Sequence, residues 1–189
     1  MTKGRAKDDE PDTGPGAGAG SSPSSFAVYR EGGTTPEIRL TVALVLVARR
    51  WRALLDERLR PIEQSSARME AMSAIMNAKG PKAQIEIAKR LRIEGPTMTR
   101  MVDSLSADGL VERRQAPHDR RTNFLTLTSE GEEVLEQIFG IVQPLRGRLL
   151  EGLSAEEVEQ MIDLLDVLLG RLDEGLPDPP ADSLDASSS

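Results

Sequence analysis

Read for the spacing of its apolar residues, the chain changes character near residue 36 and again near residue 175. From Pro36 to about Leu59, the positions Ile38, Leu40, Val42, Val45, Leu46, Ala48, Leu54, Leu55 and Leu59 cover more than one face of a helix. Leu40 to Val47 taken alone also fits a buried strand. Its continuation through Arg49, Arg50, Trp51 and Arg52 favours one helix, roughly 34 Å long at the usual rise per residue. An apolar surface that wide needs partners on two sides, a domain core and a second subunit. Pro61 closes the helix. The next helix runs from Ser66 to Ala78, with Met69, Met72, Ile75 and Met76 inward and Gly80-Pro81 as its stop.

A short helix follows from Gln84 to Leu91, with Ile85, Ala88 and Leu91 on one side, and Arg92 to Glu94 form a turn. The helix after it carries Pro96 in its first turn, where a missing N–H costs nothing. Met98, Met101, Val102 and Leu105 fall on one face, and Pro96, Thr97, Arg100 and Ser104 on the other. Gly109 ends it without a Cβ penalty. Two β-rich pieces, Leu110 to Gln115 and Asn123 to Thr128, then flank a loop holding Arg120 and Arg121.

Two last helices start at capping boxes, Ser129 with Glu132 and Ser154 with Glu157. Leu135, Ile138, Val142, Leu145 and Leu149 give the first a coiled-coil-like seam, which Pro144 is expected to kink one turn earlier. Val158, Met161, Ile162, Leu165, Leu168, Leu169 and Leu172 line one side of the second. Neither has a spare layer of core to lie on, so a homodimer is expected. The fold class is mainly α with a small β-wing: a winged helix-turn-helix joined to a helical dimerisation region.

A chain of 189 residues holds one domain with tails. Residues 1–35 and 176–189 read as disordered, being Gly, Ser, Pro and charge with little to bury. Lys3, Arg5 and Lys7 make either a basic arm or simply part of that tail. The domain is expected over 36–175, with dimerisation helices at 36–60 and 130–174 and a DNA-binding lobe at 66–128. The sequence has no cysteine, which excludes disulfides, thiolate metal sites and thiol redox switches. His118 is the single histidine, with no nucleophile near it in sequence, so no catalytic residue, metal or cofactor is expected. No apolar run is long enough to span a bilayer, and the first thirty residues lack the core of a signal peptide. The chain reads as cytoplasmic, with no membrane partner.

The net charge of −7 argues superficially against nucleic acid. Its distribution reverses that. Between Lys79 and Arg121 there are ten Lys or Arg against six Asp or Glu, whereas from Thr122 onward there are three against fifteen. Screening confines a charge's field to about 8–10 Å at ordinary salt, so a basic lobe on an acidic body can still bind DNA.

The ordered set Ile93-Glu94-Gly95-Pro96-Thr97 through Asp103, Gly109 to Arg114, Asp119-Arg120-Arg121, and Leu127-Thr128 with Gly131 resembles the MarR family of bacterial regulators. Within that family it is most similar to the SlyA-type branch. The resemblance covers roughly residues 36 to 174 and implies a triangular homodimer with a DNA-binding lobe at each lower corner. It implies that Arg100 reads a base, because a bidentate arginine–guanine pair is the commonest specific contact. The alternative for Arg100 is a solvated arginine or an ion pair with Asp103. Pro96, Thr97 and Thr99 are expected near thymine methyls or phosphates, and Ser104 shares their face. In the family's Asp-x-Arg wing element, Asp119 steadies Arg121, which enters the minor groove. Arg120 takes that role instead or reaches a phosphate. Further phosphate contacts are expected from Lys82, Gln84, Arg113 and Arg114.

MarR relatives often respond to phenols or aromatic carboxylates bound where dimer helices meet the winged lobe. Here Trp51, Met69, Met72 and Met76 can form apolar walls and Arg49, Arg52 and Arg68 can meet a carboxylate. The alternative is a packed core with exposed arginines. SlyA-like chains usually carry an aromatic in place of Met69 and a threonine in place of Ala83, which leaves pocket size open and removes one cap or phosphate contact. Three functions follow: a ligand-responsive dimeric repressor, a dimeric DNA-binding protein without a switch, or a winged helix used for protein contacts. The ten basic residues between Lys79 and Arg121, with the Asp-x-Arg tip, speak against the third.

Overall fold

A computed structural model describes residues 25–78, 83–116 and 119–177, the side chains of 25, 27, 116 and 119–122 excepted. The chain divides into two compact units, one ending at Trp51 and one beginning at Arg52.

The first unit holds α1 (Ser25–Arg30) and most of α2 (Pro36–Leu59). α1 lies inside the stretch that composition reads as a tail. Gly32, at φ +77°, closes it, and the Gly33 N–H donates to the Val28 carbonyl at 2.9 Å. α2 is one uninterrupted helix, so the strand alternative for Leu40 to Val47 does not form. Thr35 caps its start, and the Thr35 hydroxyl holds the Glu37 carboxyl below its ordinary pKa. Leu40, Val42, Val45, Leu46 and Val47 are all exposed.

In the second unit α2 finishes, a 3-10 turn follows at Arg60–Ile62, and α3 (Ser66–Asn77) begins. Its start is fixed twice: the Ser65 hydroxyl accepts the Arg68 N–H, and Asp56 Oδ1 accepts the Ser66 N–H at 2.7 Å. α4 (Gln84–Leu91) and α5 (Gly95–Ala107) come next, then β1 (Val111–Ala116) and β2 (Asp119–Leu127). The core gathers Leu55 and Leu59 of α2, Met72 and Ile75 of α3, Ile87 of α4, Met98, Val102 and Leu105 of α5, and Leu125 of β2. α6 (Ser129–Leu149) adds Leu135, Ile138 and Val142. Each such side chain contributes about 1.5–3 kcal/mol on burial.

Three details depart from the pattern-based expectation. In α4 the buried pair is Ile87 and Ala88, while Ile85 stays 63% exposed, because eight residues span little more than two turns and the neighbouring α5 sets the rotation. The strands extend into the expected loop, pairing from Val111 with Leu127 up to Gln115 with Asn123, with a register shift before Ala116 pairs with Asp119. Thr128 rather than Ser129 caps α6: its hydroxyl accepts the Gly131 N–H at 2.9 Å and donates to the Gly109 carbonyl at 2.7 Å. The reason is that Thr128 is still extended, its N–H on the Leu110 carbonyl, so the helix can start one residue sooner. α6 contains Pro144 within a single helical element.

The capping box of α7 (Ala155–Glu174) forms as expected: Ser154 accepts the Glu157 N–H and the Glu157 carboxylate accepts the Ser154 N–H at 2.8 Å. Those bonds, the backbone one first, hold the Glu157 carboxyl below its ordinary pKa. No residue of α7 is buried, and Leu164, Val167 and Leu172 are more than half exposed.

Candidate nucleic-acid interface

α5 presents its N-terminus outward. Glu94 precedes it in an extended conformation with no side-chain cap, and Pro96 occupies the first turn. The first amides of a helix lack intrahelical acceptors and carry the positive end of the macrodipole, which suits a phosphate. Pro96, Thr97 and Arg100 are exposed there, while Met98, Val102 and Leu105 anchor the opposite face at zero exposure. The amphipathic spacing therefore fixes which side of α5 remains for a partner.

Arg100 has no hydrogen-bond or ion-pair partner among the described residues. Its sequence-based alternative, a pair with Asp103, is not made. Asp103 Oδ1 instead receives Arg113 Nη1 from β1 at 2.6 Å, and Arg113 Nη2 donates to the Thr99 carbonyl at 3.3 Å. Gln84 of α4 donates through Nε2 to the Thr99 hydroxyl at 2.9 Å. Gln84, Thr99, Asp103 and Arg113 thus form one network that binds α4, α5 and the wing around the base of Arg100. Spacing along a single helix could not reveal it, since its members come from three elements.

Ser104 is exposed, but its hydroxyl accepts from Arg68 Nη1 at 2.8 Å. Arg114 is exposed and pairs with Glu112 two residues away at 2.9 Å, a local contact that solvent screens. The backbone of Asp119, Arg120 and Arg121 lies at the start of β2, beside the hairpin end; their side chains, like Lys82 and His118, lie outside the described residues, as do Lys3, Arg5 and Lys7.

The residues expected to hold a ligand fall in both units. Arg49 and Trp51 belong to the first unit, where Arg49 borders a shallow depression with Val42, Val45 and Leu46. In the second unit Met69 and Met72 are buried in the core, and Met76 borders α6 beside Leu135 and Phe139. Arg52 Nη2 donates to both Glu70 carboxylate oxygens, at 2.8 and 3.0 Å, and Arg68 donates to Gln64, Ser104 and Asp108. Among the described residues no cluster of three or more His, Asp or Glu could hold a metal ion, and no helix is long and apolar enough to cross a membrane.

This geometry has close counterparts. The model of the MarR family matches residues 65–122, from the start of α3 into β2. A cysteine-to-serine mutant of MarR from E. coli, solved in complex with operator DNA, is 32% identical with a TM-score of 0.63, over 70% of this chain and 94% of that one. Wild-type E. coli MarR without ligand is 31% identical, with a TM-score of 0.58 over 69% of this chain and 96% of that one. The MepR–DNA complex of S. aureus shares the fold at 23% identity, with a TM-score of 0.63 over 69% of this chain and 96% of that one.

Proposed function

The chain belongs to the MarR family of DNA-binding transcriptional regulators, and on that footing we propose that it is a homodimeric repressor of the SlyA-like branch, released from a pseudo-palindromic operator by a small aromatic ligand. Members of the family are transcription factors and not enzymes, so the chemistry is that of binding. The observation that carries the reading is the exposed Arg100, without a partner among the described residues, on a helix whose other face is locked into the core.

With α5 in a major groove, Arg100 donates two parallel bonds to a guanine, worth about 1–3 kcal/mol of discrimination. Thr97 and the free amides beside Pro96 take a phosphate. Arg113 and Gln84, already tied to α5, set the lobe's register on the backbone, and Arg114 adds charge at its edge. At the hairpin end Arg121 enters the minor groove with Asp119 steadying it, or Arg120 does so in its place. The uncovered apolar faces of α2 and α7 meet those of a second copy, and a two-fold dimer calls for half-sites about ten base pairs apart. We place the protein in the cytoplasm, where that DNA is.

The engagement of Arg52 by Glu70, and of Arg68 by Gln64, Ser104 and Asp108, favours a second reading, a dimeric DNA-binding protein without a small-molecule switch. One experiment separates the two. In a gel shift on DNA from upstream of its own gene, the protein should give a discrete complex that survives random competitor. A panel of phenols and aromatic carboxylates should then include one that weakens the complex, typically by 5–150-fold. No complex contradicts DNA recognition; a complex indifferent to every compound leaves the switchless dimer.

A further inference from the structure

Arg68 stands in the third position of α3, at a corner of the fold that is braced on every side. The Ser65 hydroxyl caps the helix, the Ser66 amide is tied to Asp56 near the end of α2, and Ser66 is itself 4% exposed. From that corner the Arg68 side chain, 14% exposed, crosses to α5. Nε donates to Gln64 Oε1 at 2.8 Å, Nη1 to Ser104 Oγ at 2.8 Å, and Nη2 to Asp108 Oδ2 at 2.7 Å. A planar fork with three filled donors fixes direction as well as distance.

The two residues it grips on α5 are spaced for this task. Arg100, Ser104 and Asp108 are four apart, so they form one ridge of the helix. Arg100 is at its outer end, and Arg68 holds the next two positions. Asp108 is also the C-cap of α5, where a cation complements the negative end of the macrodipole. Rotation of α5 about its own axis would swing Arg100 and pull Ser104 and Asp108 away from the guanidinium together.

We propose that Arg68 is a positioning residue for operator recognition: it fixes the rotation of α5, and through it the aim of Arg100, without touching DNA itself. This rests on the DNA-binding reading above. It gives Arg68 a task other than meeting the carboxylate of a ligand, and it makes Asp108 a specificity determinant lying two turns behind the base-reading end.

The test uses the full chain. Arg68→Met and Asp108→Asn are compared with the wild type on an operator and on random DNA, at several salt concentrations, with melting temperature as the control for folding. The expected result is a loss of operator affinity on the order of tenfold for Arg68→Met, a smaller loss on random DNA, and an unchanged slope of log affinity against log salt. The slope distinguishes the roles, because removing a phosphate contact lowers it by about one. Asp108→Asn, which adds no apolar surface and removes no cation, should reduce selectivity in the same direction, and the double variant should lose little more than Arg68→Met alone. Arg68→Lys should recover part of the selectivity by restoring the charge at Asp108. Wild-type selectivity in both single variants overturns the proposal, as does a slope lowered by one, or a loss of aromatic-acid binding with operator affinity intact. Should Arg68→Met fail to fold, Asp108→Asn decides. A wild type that binds no DNA overturns the reading beneath the proposal, a result distinct from any of these.

Discussion

Arg92 and Asp173, 81 positions apart in sequence, are joined by a two-pronged ion pair, with Arg92 Nε on Asp173 Oδ1 at 2.8 Å. Arg92 ends α4 in the turn before α5, at φ +52°, where a side chain other than glycine is disfavoured. Asp173 lies in the last turn of α7, a helix with no buried residue. The pair therefore fastens an otherwise superficial helix to the turn that sets the angle of α5.

That fastening is acid-sensitive. The hydrogen bond from Arg92 lowers the Asp173 pKa from its ordinary 3.8, and the same bond raises that of Arg92. A lowered carboxylate contributes stability that is complete above the unfolded value and lost as pH falls through the folded one. The raised arginine loses its contribution only at alkaline pH beyond any working buffer. Thermal melts of wild type and Asp173→Asn should therefore differ near neutrality and converge below pH 3.8. A gap that persists or widens in acid contradicts this.

Gly131 is required by contact and not by φ. A Cβ there would lie 2.1 Å from the Leu110 carbonyl oxygen, where α6 starts against the entry to the wing. Backbone cannot rotate away as a side chain can, so Gly131→Ala should cost about 1–3 kcal/mol or more in urea unfolding. A midpoint equal to wild type would show that α6 can shift freely against β1.

Spacing alone makes Met72 and Met76 equivalent, yet their places in the fold differ. Met72 has zero exposure and Met76 has 43%. Truncating Met72 to alanine should cost about 2–5 kcal/mol, and truncating Met76 much less. Equal losses in denaturant unfolding would mean that the inward face of α3 is turned differently.

The exposed side of α7 should hold a second copy of the chain. Leu164 and Val167 are 67% and 53% exposed, and an obligate interface buries roughly 2,000 Å² or more in total. Leu164→Glu should turn a dimer into a folded monomer in sedimentation at micromolar concentration. A wild type that sediments as a monomer contradicts the dimer outright.

Much of this was legible from residue order. The 3.6-residue spacing placed α2, α3, α5, α6 and α7, and the box at Ser154 and Glu157 formed as its chemistry requires. Short elements are less legible: in α4 eight residues give too few repeats to fix which face Ile85 takes, and α1, at six residues, is less than two turns long, so Phe26, Ala27, Val28 and Tyr29 form a run with no period to read. At the candidate interface, the exposed ridge through Arg100 follows from helical spacing alone. The contacts that set its neighbours apart do not, because Arg113, Ser104 and Gln84 take partners from other elements, and pairing across 14 to 36 residues leaves no periodic trace. The same is true of Arg68, which composition offers as a free cation and the fold closes with three bonds.

Whether Arg100 reads sequence is decided by operator binding of Arg100→Ala. Affinities of wild type and variant should be measured on an operator, on its single-base-pair variants and on random DNA at one salt concentration. The expected result is a loss of about 1–3 kcal/mol on the operator, a relaxed preference at one base pair in each half-site, and a much smaller loss on random DNA. An equal loss on all three would make Arg100 a phosphate contact and contradict the account.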